Sequence, residues 1–168
     1  MPLLKDGVAV DDPWRALGDE EPLPPDAPVI VSIGHWQAER EALIAREAPF
    51  GIRLSSDQPL SLIADDVHRF GVIALEFPHF KDGRAYSQAR LLRERFGYGN
   101  ELRAVGQLLR DQFLFMARCG FDAYEVKDEG AVEGWRAAMR EFTVFYQSAA
   151  DRRVPAFVLR HRSRAAAE

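Results

Sequence analysis

The stretch of this chain richest in groups able to do chemistry runs from Arg84 to Arg118. Arg84, Arg90, Arg93, Arg95, Arg103, Arg110 and Arg118 are opposed there only by Glu94, Glu101 and Asp111, a local charge of +4 in a chain of net charge −4. Guanidinium forks match carboxylates and planar or tetrahedral oxyanions, so an anionic ligand or an acidic partner is the chemistry these residue types suit. The competing reading is structural. Arginines three or four apart on a helix also pair with neighbouring acids on a solvated face, and Asp82-Gly83 is also a common turn pair. Asp111 has the same ambiguity, since an acid in a helix's first turn caps or counters a cation as readily as it acts as a base.

Other chemistries are poorly provided for. The glycines at Gly97 and Gly99 precede a predicted strand, where neither a dinucleotide loop nor a P-loop belongs. His35, His68, His79 and His161 lack paired metal-ligand spacing, and the single Cys119 cannot build a thiolate cluster within one chain. Cys119 beside a helix end reads as a small apolar residue. No serine sits in a nucleophile elbow, and no interleaved aromatic and basic platform for nucleic acid is present. No cofactor or metal is therefore expected, and no catalytic residue is assigned.

The elements that must position these residues alternate. Strands are predicted at 29–33, 52–54, 72–77, 102–105 and 123–126, each a short β-branched or apolar run. Helices are predicted over 35–47, from Pro59 through Phe70, over 84–96, 108–118 and 131–147, with apolar residues on one face. A final short strand is predicted at Ala156–Leu159. Strict strand–helix alternation implies an α/β domain with a mostly parallel sheet of five or six strands. An open three-layer sheet, with the weak Ile52–Leu54 strand at its edge, is the first expectation, and a half-barrel of (β/α) units is the alternative. Both gather the loops after each strand on one face. That face would carry Gly34 and His35, then Glu76, His79, Asp82, Gly83 and Arg84. From the next two strands come Gly106, Gln107, Arg110, Asp111 and Gln112, then Glu125, Lys127 and Asp128.

Residues 1–28 are set apart by six prolines and a segment charge of −5, and are expected to form an arm on a single domain spanning 29–160. Within the arm, Asp6-Gly7 between Leu3-Leu4 and Val8-Ala9-Val10 signals a hairpin. Residues 161–168 read as a frayed basic tail. The hydrophobic fraction of 47% over 168 residues is enough for a packed core. No apolar run approaches the roughly 20 residues needed to cross a bilayer, and the N-terminus lacks a basic and apolar leader. A cytoplasmic location without membrane or nucleic-acid partners is the expectation.

The ordered string Phe77-Pro78-His79-Phe80-Lys81-Asp82-Gly83-Arg84, Ser87, Ala89-Arg90, Leu92-Arg93, Gly97-Tyr98-Gly99-Asn100-Glu101-Leu102-Arg103-Ala104-Val105-Gly106, Asp111-Gln112 and Arg118-Cys119-Gly120-Phe121-Asp122 carries a further reading. It resembles an uncharacterised bacterial family, a domain of unknown function commonly encoded beside assimilatory sulfite reductase. The resemblance spans about Val29 to Gln147. It implies a role in sulfite or sulfate assimilation and directs attention to Asp82, Gly83, Arg84, Arg90, Arg93, Arg103, Asp111 and Gln112, without a defined role for any of them. Gln107 joins this set from its place after the fourth strand. The resulting expectation is an accessory protein that binds sulfite reductase or its electron donor. The alternatives are a small enzyme whose arginine-lined pocket takes a sulfur oxyanion or another small anion, and a non-catalytic structural or regulatory subunit. Arg84, Arg103 and Asp111, with Gln112 close by, are expected to meet near one end of the sheet.

Overall fold

The structure is a computed structural model that describes residues 2–126, 130–151 and 153–165. Eight strands form one sheet in the order β2 (Val8–Val10), β1 (Leu3–Lys5), β8 (Ala123–Glu125), β7 (Glu101–Gly106), β6 (Val72–Phe77), β5 (Phe50–Leu54), β4 (Val29–Ser32), β3 (Arg15–Ala16). Six of them, β3 through β8, run parallel, each beside its sequence neighbour. When strands stay in sequence order and every crossover has the same hand, the connections all fall on one face. The sheet is accordingly curled into a half-barrel, the alternative reading of the sequence, and not an open three-layer sheet. Such a sheet would need its strand order to reverse so that helices cover both faces.

The outer connections are α1 (Ile33–Ala45), two 3₁₀ turns at Leu60–Leu62 and Ala64–Arg69, α2 (Arg84–Glu94), a 3₁₀ turn at Arg110–Gln112 leading into α3 (Phe113–Cys119), and α4 (Gly130–Glu141). They cover a continuous core that includes Val31, Trp36, Ile52, Leu75, Phe77, Leu92, Leu102, Phe113 and Tyr124. The segment from Pro59 to Phe70, expected to be a helix, is a pair of 3₁₀ turns. Its apolar residues Leu60, Ile63, Val67 and Phe70 are nonetheless buried, since near-threefold spacing also suits three residues per turn. β5 is an interior strand. Its alternation arises because Arg53 points to the inner, polar side of the curl.

At the other end of the sheet, Asp6 (φ 48°) and Gly7 (φ 81°) make the tight turn between β1 (Leu3–Lys5) and β2 (Val8–Val10). Two successive positive φ values are what a turn matched to strand twist requires. A Cβ on Gly7 would lie 2.4 Å from the Trp135 ring of α4, so the turn also seats on that helix. The hairpin joins the main sheet through antiparallel pairing of β1 with β8. From there the chain crosses to the far edge, where β3 pairs with β4. On the inner face, Ile30, Val72, Ala74 and Val105 form a small apolar cluster against which Trp14 packs, with Gly71 leaving room for its indole. The acidic arm is thus built into the sheet at both edges.

Two C-terminal expectations are corrected. The long helix expected to run to residue 147 ends at Glu141, ahead of the bulky and β-branched run Phe142-Thr143-Val144-Phe145, and Phe145 bridges to Pro155. Residues 156–159 are not a strand but the start of α5 (Ala156–Ala165). Pro155 stands at its entry, where a missing N–H costs nothing. This helix takes in the first part of the tail expected to fray.

Candidate functional site

Alternate residues of parallel strands face the inside of the curl, and here many are charged. Register places Ser32, Arg53, Ala74, Arg103, Ala123 and Lys5 side by side across six strands. Arg103 lies at the centre and is fully buried. Its Nη1 and Nη2 donate to the two oxygens of Asp12 at 2.6 and 2.9 Å, and its Nε donates to Glu101 Oε1 at 2.9 Å. Glu125 Oε1 lies 3.5 Å from Nη1, and Lys5 Nζ donates to the other oxygen of Glu101 at 2.7 Å. Burial alone would lower the guanidinium's affinity for its proton. The bonds to Asp12 and Glu101 reverse that and raise its pKa above the ordinary value. Two strands away, Arg53 pairs with Glu76 at 2.9 Å, and Ser55 also bonds that carboxylate.

At the strands' C-terminal ends this polar interior opens into a cavity of about 360 Å³ between the β7 loop and the start of α4. Leu108, Phe113, Val126 and Ala131 supply apolar walls, and Arg110 and Glu125 supply charge. Gly106 shapes the floor. Its φ is 101°, and a Cβ there would meet the Phe77 carbonyl oxygen at 2.4 Å. Gly134 lets the Arg110 stem lie along α4, since a Cβ would sit 3.4 Å from Arg110 Cγ. Among the described residues the Arg110 guanidinium makes no hydrogen bond or ion pair. Glu125 is therefore shared between the Arg103 cluster and the cavity.

The residues singled out from the sequence are dispersed. Arg84 turns back on its own loop, donating from Nη2 to Asp82 at 2.6 Å, and Ser56 donates to the same carboxylate at 2.8 Å. These bonds hold the Asp82 carboxyl well below the usual carboxylate range. Gly83 leads into α2. Gln112 donates to the Phe80 carbonyl at 2.8 Å and so ties the β6 and β7 loops together. Asp111 stays exposed without a bonded partner among the described residues, and Gln107 is exposed with its backbone N–H on the Phe77 carbonyl. Arg90 pairs with Glu94 one turn along α2. Arg93 lies at the opposite end of the strands, binding the carbonyls of Gly120, Tyr98 and Asn100 and the carboxylate of Asp122. The expected meeting of Arg84, Arg103 and Asp111 does not occur. Arg103 faces into the curl and is taken by Asp12 and Glu101, while Arg84 is taken by Asp82.

Asp12, Glu101 and Trp14 were not singled out, because nothing local in the sequence links an acidic arm to a residue 91 positions away. Arg110 and Glu125 stood only among the general strand-end residues. Lys127 and Asp128 lie outside the described residues. The Cys119 thiol is half-buried, and burial pushes its pKa up, consistent with an unreactive side chain. Among the described residues no cluster of three or more His, Cys, Asp or Glu is placed to hold a metal ion, and no helix is long and apolar enough to cross a membrane.

Fold and site together define a (β/α) half-barrel whose inner face is polar and whose cavity opens at the strand ends. The chain belongs to the DUF934 family, described as bacterial proteins of unknown function, and the family model matches residues 51–157. No curated protein matches it.

Proposed function

We propose that this chain is an accessory protein of assimilatory sulfite or sulfate reduction that docks on sulfite reductase or its electron donor. The observation that carries the docking is a solvent-facing aromatic surface beside α3. Phe115, Phe142 and Tyr146 are 57%, 52% and 83% exposed. With Leu114, Phe145 and the Arg118 stem they line a groove of about 420 Å³. Exposed aromatic side chains gathered around an arginine match the composition of interface centres better than that of an ordinary surface. Most of the arginines of the segment 84–118 hold loops or helix neighbours, which leaves them little part in an oxyanion pocket.

The test is capture of purified sulfite reductase, and separately of its electron donor, on the immobilised full chain. Binding is expected for one of them and is expected to weaken at least about tenfold in a Phe142→Ser, Tyr146→Ser double variant, with Arg84→Ala as the unaffected control. Failure to bind either protein, or binding indifferent to the aromatic pair, refutes the docking reading.

The second reading, a small enzyme or binding protein for a small anion, is favoured by one observation. The cavity at the strand ends carries an Arg110 guanidinium with no partner among the described residues. In (β/α) barrels that end is the one that binds ligands.

A further inference from the structure

We propose that the cavity between the β7 loop and α4 takes a small zwitterion of the amino-acid type, its carboxylate on Arg110 and its ammonium on Glu125. This rests on the small-ligand reading of the cavity and changes the ligand class, because the electrostatics disfavour a bare oxyanion.

Two opposite charges line this cavity without being paired to each other. Glu125 belongs to a cluster in which three carboxylates (Asp12, Glu101, Glu125) meet two cations (Arg103, Lys5), leaving one negative charge in excess. Arg103 satisfies Asp12 with two short bonds and Glu101 with one bond and a further ion-pair contact at 2.8 Å, and its contact with Glu125 is the longest of the set at 3.5 Å. The uncompensated charge therefore falls on Glu125, on the cavity side. A sulfate or sulfite seated there would gain Arg110 but face that carboxylate across a partly desolvated space, where like charges repel far more than in water. A ligand carrying its own cation turns the repulsion into a second ion pair.

The remaining walls agree. Leu108, Phe113, Val126 and Ala131 offer an apolar lining that an inorganic ion cannot use, whereas a short aliphatic side chain buries against it. Gly130 and Gly134, one turn apart on α4, keep that wall free of side chains beside Arg110.

The test is isothermal titration of the full chain near neutral pH and low salt with five probes: L-norvaline, pentanoate, butylammonium, sulfate and sulfite. L-Norvaline is expected to bind at least about tenfold tighter than pentanoate or butylammonium, each of which lacks one charge. Arg110→Gln, at an exposed position, is expected to remove the advantage of norvaline over butylammonium. Glu125→Gln is expected to bring pentanoate level with norvaline. Thermal melts of both variants check folding, and the arginine variant alone suffices if the glutamate variant is unstable. Sulfate or sulfite binding the wild type as well as norvaline, with loss in Arg110→Gln, overturns the zwitterion and leaves the small-anion reading standing. No binding of any probe at millimolar concentration overturns both.

Discussion

Replacing Arg103 by methionine removes a charge but nearly keeps its volume, so it isolates the ion cluster at the centre of the inner face. The wild-type guanidinium makes close contacts to Asp12 and Glu101 and a longer one to Glu125 while itself fully shielded from water. After the change, three carboxylates remain with only Lys5, itself partly exposed, to answer them. Breaking a buried ion pair by removing one partner costs about 3–5 kcal/mol, because the charges left behind stay desolvated. Against the roughly 5–15 kcal/mol that holds a typical domain together, that is a large share. Urea denaturation near neutral pH should show the loss as a lower midpoint with an unchanged slope. The triple variant Arg103→Met, Glu101→Gln, Asp12→Asn should recover much of the stability. As a surface reference, Arg90→Ala should stay within about 1 kcal/mol of wild type, since its pair with Glu94 is open to solvent on both sides. A loss below about 1 kcal/mol in Arg103→Met, or no recovery in the triple variant, would refute the assignment of the cluster as a desolvated network.

Two further outcomes follow from the same contacts. Burial pushes the Tyr86 hydroxyl up to about 12 and drives Tyr98 and Tyr124 higher still, so these folded-state values lie above those of the unfolded chain. The stability they contribute is intact below about pH 10 and is lost as the pH rises beyond it, so tyrosinate absorbance should appear together with loss of circular dichroism; ionisation of all three with the fold intact would contradict their burial. Arg84→Ala should loosen the Asp82 loop and lower the melting temperature slightly while leaving both partner capture and norvaline titration unchanged, whereas a selective loss of binding would return Arg84 to the functional site.

What was legible in the sequence was local. Asp6-Gly7 announces its hairpin because only a few residue pairs accept two positive φ values. The parallel strands announce themselves through β-branched runs separated by helix-length connections. Which way the sheet winds is not local, since it depends on whether the strand order reverses, and alternation is the same in both cases. The inner face misled the reading of β5 for a related reason. A strand with Arg53 on one side looks like an edge strand when the polar side of the sheet is assumed to be solvent, and here it is the inside of a curl. Arg84 and Arg103 were both marked as arginines, but their roles are set by Asp82 two residues away and by Asp12 at the other end of the chain. Only the first of those partners could be inferred from spacing.

The arm explains how a half-barrel can keep charges inside. A closed barrel fills its interior with layers of side chains from the opposite wall, and an open curl has no opposite wall. Here residues 11–16 stand in for it. Trp14 covers the apolar part of the inner face, and Asp12 answers Arg103. An uncharged residue at 103 would strip residues 11–16 of the anchor at Asp12, while an arginine without the arm would be a desolvated cation short of carboxylates. Each feature makes the other tolerable. Glu125 carries the consequence to the cavity, because every bond Arg103 gives to Asp12 is one it does not give to Glu125. Asp12 in the N-terminal arm and Glu125 at the end of β8 are thus linked through a single guanidinium.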